Sequence, residues 1–213
     1  MQIFSLRGIP IKLHYSFLIL GAVWVFYNGL QLGITGAAYA LGLGLALFGS
    51  VLLHELGHSL MAATYGISTR HITLYPFGGI AAIESEPKPG LEEFFIALAG
   101  PAVNFILAGL LAPAMLINLQ LFSFLVGINL VMGIFNLIPA FPMDGGRILR
   151  SLLMTKMSKR RSTMISLNMS LVWVVAFLIV GAYFQWYGLI FVGLFLGYII
   201  RVEKRRISVN NVR

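Results

Sequence analysis

Residues 37–58 read AAYALGLGLALFGSVLLHELGH, an apolar run that ends in two histidines and a glutamate. The seventeen residues from Ala37 to Leu53 carry no charge, and a run of this kind predicts a membrane-spanning helix over residues 37–63. Side chains four residues apart on a helix lie about 40° apart, so His54 and His58 share one face. Such polar groups cost several kcal/mol in lipid unless they are paired or metal-bound, which makes this stretch a candidate functional site.

The composition of the whole chain is that of a membrane protein. Its 213 residues are 59% hydrophobic and 10% charged, with a mean hydropathy of +0.90, which is far from the composition of a soluble domain. We predict an all-α polytopic membrane protein with six transmembrane helices. They are expected at residues 13–32, 37–63, 93–118, 120–139, 163–184 and 186–200.

The distribution of positive charge predicts the topology. With six spans, all fifteen lysines and arginines fall in the N-terminal arm, the loops between helices 2 and 3 and between helices 4 and 5, and the C-terminal segment. The positive-inside rule then places both termini in the cytoplasm of a multi-pass plasma-membrane protein. The net charge of +8 therefore reflects membrane topology, and no nucleic-acid partner is expected.

The pattern His54-Glu55-Leu56-Gly57-His58 matches the H-E-x-x-H signature of zinc hydrolases. In that signature the two imidazoles bind Zn²⁺, and the glutamate takes a proton from water at the metal. A catalytic zinc usually has three protein ligands, and Asp144 is the chain's one aspartate. Six spans would place Asp144 on the same membrane side as the histidines, among prolines and glycines that predict irregular backbone. A His₂Asp site for one zinc ion per chain follows. The chain has no cysteine, which excludes thiolate ligands.

The segment between helices 2 and 3 predicts a small β-hairpin. Residues 70–75 and 80–84 are β-capable runs that flank Pro76-Phe77-Gly78-Gly79. The hairpin either pairs its edge with an extended substrate or only closes the loop, and the pattern does not decide between these roles. Residues 1–12 are expected to be a short extended or interfacial segment. Four glutamates are expected to form a solvated acidic face near helix 3: Glu84, Glu86, Glu92 and Glu93.

Taken together, these motifs resemble the site-2 protease family of intramembrane zinc metalloproteases. The resemblance covers a catalytic core at residues 37–147, and its order along the chain is specific. The matching segments are His54–His58, Phe77-Gly78-Gly79, Gly100-Pro101 with Asn104, and Asn136 through Pro139 to Asp144-Gly145-Gly146-Arg147.

This resemblance implies a single membrane-embedded protease domain over residues 1–213, with flanking helices 13–32, 163–184 and 186–200. It implies zinc ligation by His54, His58 and Asp144, with Glu55 as the catalytic base. Its substrates would be transmembrane helices of other proteins, cleaved within the lipid bilayer in regulated intramembrane proteolysis. Many members carry a PDZ domain or a CBS pair, and the loops and C-terminal segment here leave room for neither.

The resemblance also implies substrate contacts by Asn104, Asn136 and the hairpin residues Phe77, Gly78 and Gly79. Spacing alone favours the other interpretation, that Asn104 bridges two helices. Two other functions use the same residues: an intramembrane zinc transporter or sensor, and a non-catalytic binder of membrane proteins. A transport path should carry several ionisable groups along its spans, and a transporter gives no reason for Glu55.

Overall fold

The computed structural model describes residues 1–76 and 78–209, without the side chains of residues 208 and 209. The chain forms two compact units. One contains residues 1–87 and 99–133. The other contains residues 88–98 and the described residues from 134 onward. Both are built mainly from helices, and the first also contains a four-stranded sheet.

Helix α1 runs from Tyr15 to Thr64 and is broken once, at Gly33. His14 begins it, because the His14 Nδ1 atom accepts the backbone N–H of Ser16 at 3.3 Å. At Gly33 φ is 67°, a left-handed value that glycine adopts without steric penalty. The chain turns sharply there, since a Cβ on Gly36 would lie 2.6 Å from the carbonyl oxygen of Asn28. The break separates residues 15–32 from 34–64, where two helices were predicted.

The remaining long helices lie close to their predicted positions. Helix α2 is Leu91–Leu111 and continues as a 3₁₀ turn, Ala112–Leu116. Helix α3 is Leu119–Leu137, α5 is Lys159–Tyr183 and α6 is Tyr187–Val209. Pro101 lies inside α2, where its missing N–H removes one helical hydrogen bond.

Four of these helices are long and apolar enough to cross a membrane, which supports a polytopic membrane protein. They are Tyr15–Thr64, the α2 segment Leu91–Leu116, Leu119–Leu137 and Lys159–Tyr183. The predicted number of six spans is not confirmed. The two predicted helices before and after Gly33 count as one candidate span, because α1 is interrupted only at that residue. Helix α6 is not among the four candidates, and it carries charged residues from Arg201 onward.

The predicted hairpin is present, but it belongs to a larger sheet with the order β1-β2-β3-β4. Strands β3 (Thr69–Tyr75) and β4 (Gly78–Ile83) are antiparallel. Strands β1 (Gln2–Leu6) and β2 (Ile9–Leu13) form a second hairpin, and β2 pairs in parallel with β3. The first residues are therefore strands rather than an isolated extended segment, and Leu13 belongs to β2 rather than to the first helix.

One face of the sheet packs on the second part of α1. Ile11, Ile72 and Leu74 of the sheet are buried in one apolar cluster with Leu52 and Leu56 of α1. Leu52 and Leu56 are one helical turn apart and lie on either side of His54 and Glu55 in the sequence. The sheet thus holds in place the helical turn that carries the candidate site.

In the second unit, α4 (Asp144–Met154) joins α5 and α6. Met143 and Ala140, just before α4, are buried with residues of α5 and α6: Leu167, Val174, Phe177, Leu196 and Ile200. The sequence predicted irregular backbone at Asp144, and this prediction is wrong. Asp144 is the first residue of α4. Gly145 and Gly146 have no side chains, and this lets the first turn of α4 pack directly against the backbone of residues 137–141.

Glu93 is buried, with 3% of its surface exposed, so it does not belong to a solvated acidic face. The Arg150 side chain of α4 donates hydrogen bonds to the Glu93 carboxylate. The Arg150 guanidinium also lies over the Phe141 ring, 5.3 Å from its centroid. The ion pair therefore joins the start of α2 to α4.

We predict that Glu93→Gln destabilises the protein by about 2–3 kcal/mol, because it leaves the partly buried guanidinium of Arg150 without its charged partner. The measurement is unfolding in detergent followed by circular dichroism. Glu84→Gln is the matched control, since the Arg70–Glu84 pair is 3.6 Å apart and largely exposed and should contribute at most about 1 kcal/mol. Equal effects of the two substitutions would contradict the prediction.

Candidate metal site

His54 and His58 lie one turn apart on α1 and are both buried. Their Nε2 atoms are 3.1 Å apart, and their rings meet edge to face at 84°. Two imidazole nitrogens that bind one tetrahedral zinc at about 2.0–2.1 Å would be separated by about 3.3 Å. The two side chains are therefore arranged as ligands of a shared metal would be.

Gly100 of α2 leaves the space that these rings fill. A Cβ on Gly100 would overlap the His58 ring and would lie 2.7 Å from Nε2 of His54. Gly57 has a similar role, because its Cβ would lie 2.9 Å from the carbonyl oxygen of Ala99. The two glycines let α1 and α2 approach closely at the histidines.

Glu55 is buried beside the sheet. A Cβ on Gly79, in β4, would lie 2.9 Å from the Oε1 atom of Glu55. The edge strand β4 therefore passes directly beside the Glu55 carboxylate. Gly78, at the start of β4, has a φ of 141°, a conformation that L side chains rarely adopt.

Asn104 of α2 is fully buried and contacts His54. The Asn104 Oδ1 atom lies 2.6 Å from Nδ1 of His54, and its Nδ2 donates to Oδ1 of Asn129 at 3.0 Å. Asn104 thus bridges α1 and α3, as one of the two interpretations of the sequence suggested. A substrate contact by Asn104 stays a prediction.

Asp144 completes a group of three potential metal ligands. His54, His58 and Asp144 are all buried, and one ligand atom from each lies within 4.8 Å of the others. Two imidazoles and a carboxylate form a donor set suited to zinc. Among the residues that the structure describes, this group could hold one metal ion.

The other predicted site residues are less informative. Asn136 is half-buried in the last turn of α3. Phe77 lies outside the described residues, so the structure does not test its predicted role. Sequence analysis missed the buried side chains of Asn129 and Ser50, which hydrogen-bond at 3.1 Å. The sequence did contain a signal for this contact: Ser50, Asn104 and Asn129 are polar residues on three different apolar helices. Buried polar groups must find partners, so such residues are expected to hydrogen-bond to one another.

Comparison with known proteins decides the family. The model of peptidase family M50 matches residues 42–121 and 114–180, which together make up most of the chain. The chain belongs to peptidase family M50. The resemblance to site-2 proteases drawn from the motifs is thereby confirmed.

Individual M50 relatives agree with this assignment. A zinc metalloprotease of Methanocaldococcus jannaschii is 38% identical over the whole chain, which spans 62% of that relative. A putative zinc metalloprotease of Synechocystis is 41% identical over 71% of the chain and 44% of the relative. The structure of a site-2 protease from Methanocaldococcus jannaschii aligns with a TM-score of 0.69 and 37% identity, covering 95% of this chain and 94% of that one. The chain thus spans less than two thirds of these curated relatives, but nearly all of the solved structure.

We predict that Gly100→Ala lowers zinc content at least about tenfold, because the added methyl group displaces the two imidazoles. The measurement is metal analysis of the purified protein after dialysis against a weak chelator. Gly109→Ala is the matched control on the same helix, since a Cβ there would meet nothing within 4 Å. Retention of one zinc per chain by Gly100→Ala would show that the rings are not the metal site.

Proposed function

We propose that the protein is an intramembrane zinc metalloprotease that hydrolyses peptide bonds in transmembrane segments of substrate proteins. The observation that carries the proposal is the buried group of His54, His58 and Asp144, with Glu55 on the same turn of α1. Membership of peptidase family M50 and the names of the relatives support it. The whole chain would act as one membrane-embedded protease domain, with its catalytic core at residues 37–147.

In this proposal the His54 and His58 imidazoles and the Asp144 carboxylate would hold the zinc ion. A zinc ion held there would polarise the scissile carbonyl and the attacking water. Glu55 takes the proton from that water and passes it to the leaving amine. Gly79 and Gly100 leave the space in which the carboxylate and the imidazoles are held.

The substrate must present an extended segment, because a helix keeps its peptide carbonyls in its own hydrogen bonds. Strand β4 is the edge of the sheet and passes beside Glu55, so an extended segment paired with β4 would lie close to the catalytic base. Gly78 and Gly79 belong to this docking edge. Phe77 and Asn136 are kept as further candidate contacts on the basis of the sequence motifs alone.

For the membrane arrangement we propose six spans, in which the two parts of α1 and helix α6 each cross the bilayer. The uniform placement of lysines and arginines on one side then puts both termini in the cytoplasm. The protein would be a multi-pass protein of the plasma membrane. Its partners would be lipids and membrane-protein substrates in regulated intramembrane proteolysis.

We predict that Glu55→Gln retains one zinc per chain and lowers cleavage of a transmembrane substrate at least about 100-fold, because the base is lost while the ligands remain. The measurement combines metal analysis with cleavage of a fluorescent transmembrane peptide in detergent. Glu84→Gln is the control, since Glu84 is an exposed acid on the β4 hairpin.

Undiminished cleavage by Glu55→Gln would contradict the proposal. The alternative, a zinc transporter or sensor, receives no support from the family match, and it leaves Glu55 without a role. Zinc flux into proteoliposomes that depends on His54, without any peptide cleavage, would favour that alternative.

A further inference from the structure

A line of four buried polar side chains ends at His54. It runs from Ser50 of α1 to Asn129 of α3, then to Asn104 of α2, and back to His54 on α1. The successive hydrogen bonds are 3.1 Å, 3.0 Å and 2.6 Å long. Both asparagines are 0% exposed, so water does not compete for these bonds.

At the start of this line, the contacts fix which groups donate hydrogen bonds and which accept them. The Asn129 Nδ2 group donates to the backbone carbonyl of Leu125 at 2.9 Å, and a carbonyl can only accept. Ser50 donates its hydroxyl hydrogen to the carbonyl of Ala46 at 3.1 Å, so its oxygen is left to accept the second Nδ2 hydrogen of Asn129. Two independent acceptors therefore orient the Asn129 amide.

The orientation of the Asn129 amide then determines the donor and acceptor of each later hydrogen bond, up to His54. With Nδ2 of Asn129 turned to Leu125 and Ser50, its Oδ1 faces Asn104 and must receive a hydrogen from Nδ2 of Asn104. The Oδ1 atom of Asn104 is then turned toward Nδ1 of His54. Because an amide oxygen only accepts, Nδ1 of His54 must carry the hydrogen. The neutral imidazole is left with its lone pair on Nε2, the atom that faces His58.

We propose that Asn104 and Asn129 are positioning residues that hold His54 in the tautomer with Nδ1 protonated and with its metal-binding lone pair on Nε2. The backbone carbonyl of Leu125 on α3 thus selects the ligand atom of His54 on α1. The inference rests on the proposed role of His54 as a metal ligand. Hydrogen-bond partners of metal-binding histidines typically change metal affinity about 10- to 100-fold when they are removed.

The test measures two quantities on the full-length protein in detergent: the zinc dissociation constant by chelator competition, and the melting temperature of the metal-free protein. Asn104→Leu, which is nearly isosteric but cannot accept, should raise the zinc dissociation constant about 10- to 100-fold. Asn104→Asp keeps an acceptor for Nδ1 of His54 but loses the donor to Asn129. It should bind zinc about as tightly as the wild type while melting at a lower temperature.

Two further variants separate positioning from packing. Asn129→Leu never touches the metal ligand, but it frees the Asn104 amide to turn, and it should weaken zinc binding about tenfold. Gly133→Ala is the matched control at the same α2–α3 contact, where a Cβ would press on the ring of Phe105 at 3.0 Å. It should lower the melting temperature without changing the zinc dissociation constant.

The proposal is overturned if Asn104→Asp weakens zinc binding as much as Asn104→Leu. It is equally overturned if the dissociation constants of all variants, Gly133→Ala included, simply follow their melting temperatures. It also fails if His54→Ala binds zinc like the wild type. Failure of the proposed protease function is distinct: a wild-type protein that cleaves no peptide, but whose zinc affinity follows this pattern, leaves the inference intact.

Discussion

The approach of two imidazole nitrogens to 3.1 Å is the contact on which the first unit depends. Two nitrogen lone pairs do not face each other stably, so the contact requires either a metal cation bound by both atoms or a hydrogen that one atom donates to the other. It also requires close helices, which Gly57 and Gly100 permit. The sheet packed on Leu52 and Leu56 then keeps this turn of α1 in place and brings β4 beside Glu55.

The second constraint is the satisfaction of polar groups in an apolar chain. Where water is scarce, a polar side chain without a partner costs about 1–3 kcal/mol. Two sets of hydrogen bonds avoid this cost. One is the line of side chains from Ser50 to His54, and the other is the ion pair between Glu93 of α2 and Arg150 of α4. Each of these contacts also fixes the position of the helix that carries a candidate ligand. Stability and function therefore use the same polar residues.

Much of this arrangement is readable from the sequence, because it depends on local periodicity. The spacing of His54 and His58 on one helical face, the hairpin around Pro76 and most of the helix bounds follow from neighbouring residues. The parallel pairing of β2 with β3 joins residues about sixty positions apart, and no local pattern reports it. The burial of Glu93 and the alignment of Asn129 with Asn104 likewise depend on which helices become neighbours, which charge and hydropathy do not specify.

The proposed activity requires one zinc ion held by two imidazoles and a carboxylate. The most direct measurement is zinc K-edge X-ray absorption of the purified full-length protein in detergent, combined with metal analysis. We expect one zinc per chain, with two imidazole nitrogens and oxygen ligands at about 2.0–2.2 Å, and loss of one imidazole from the spectrum of His58→Ala. A spectrum with one imidazole or none in the wild-type protein would contradict this expectation.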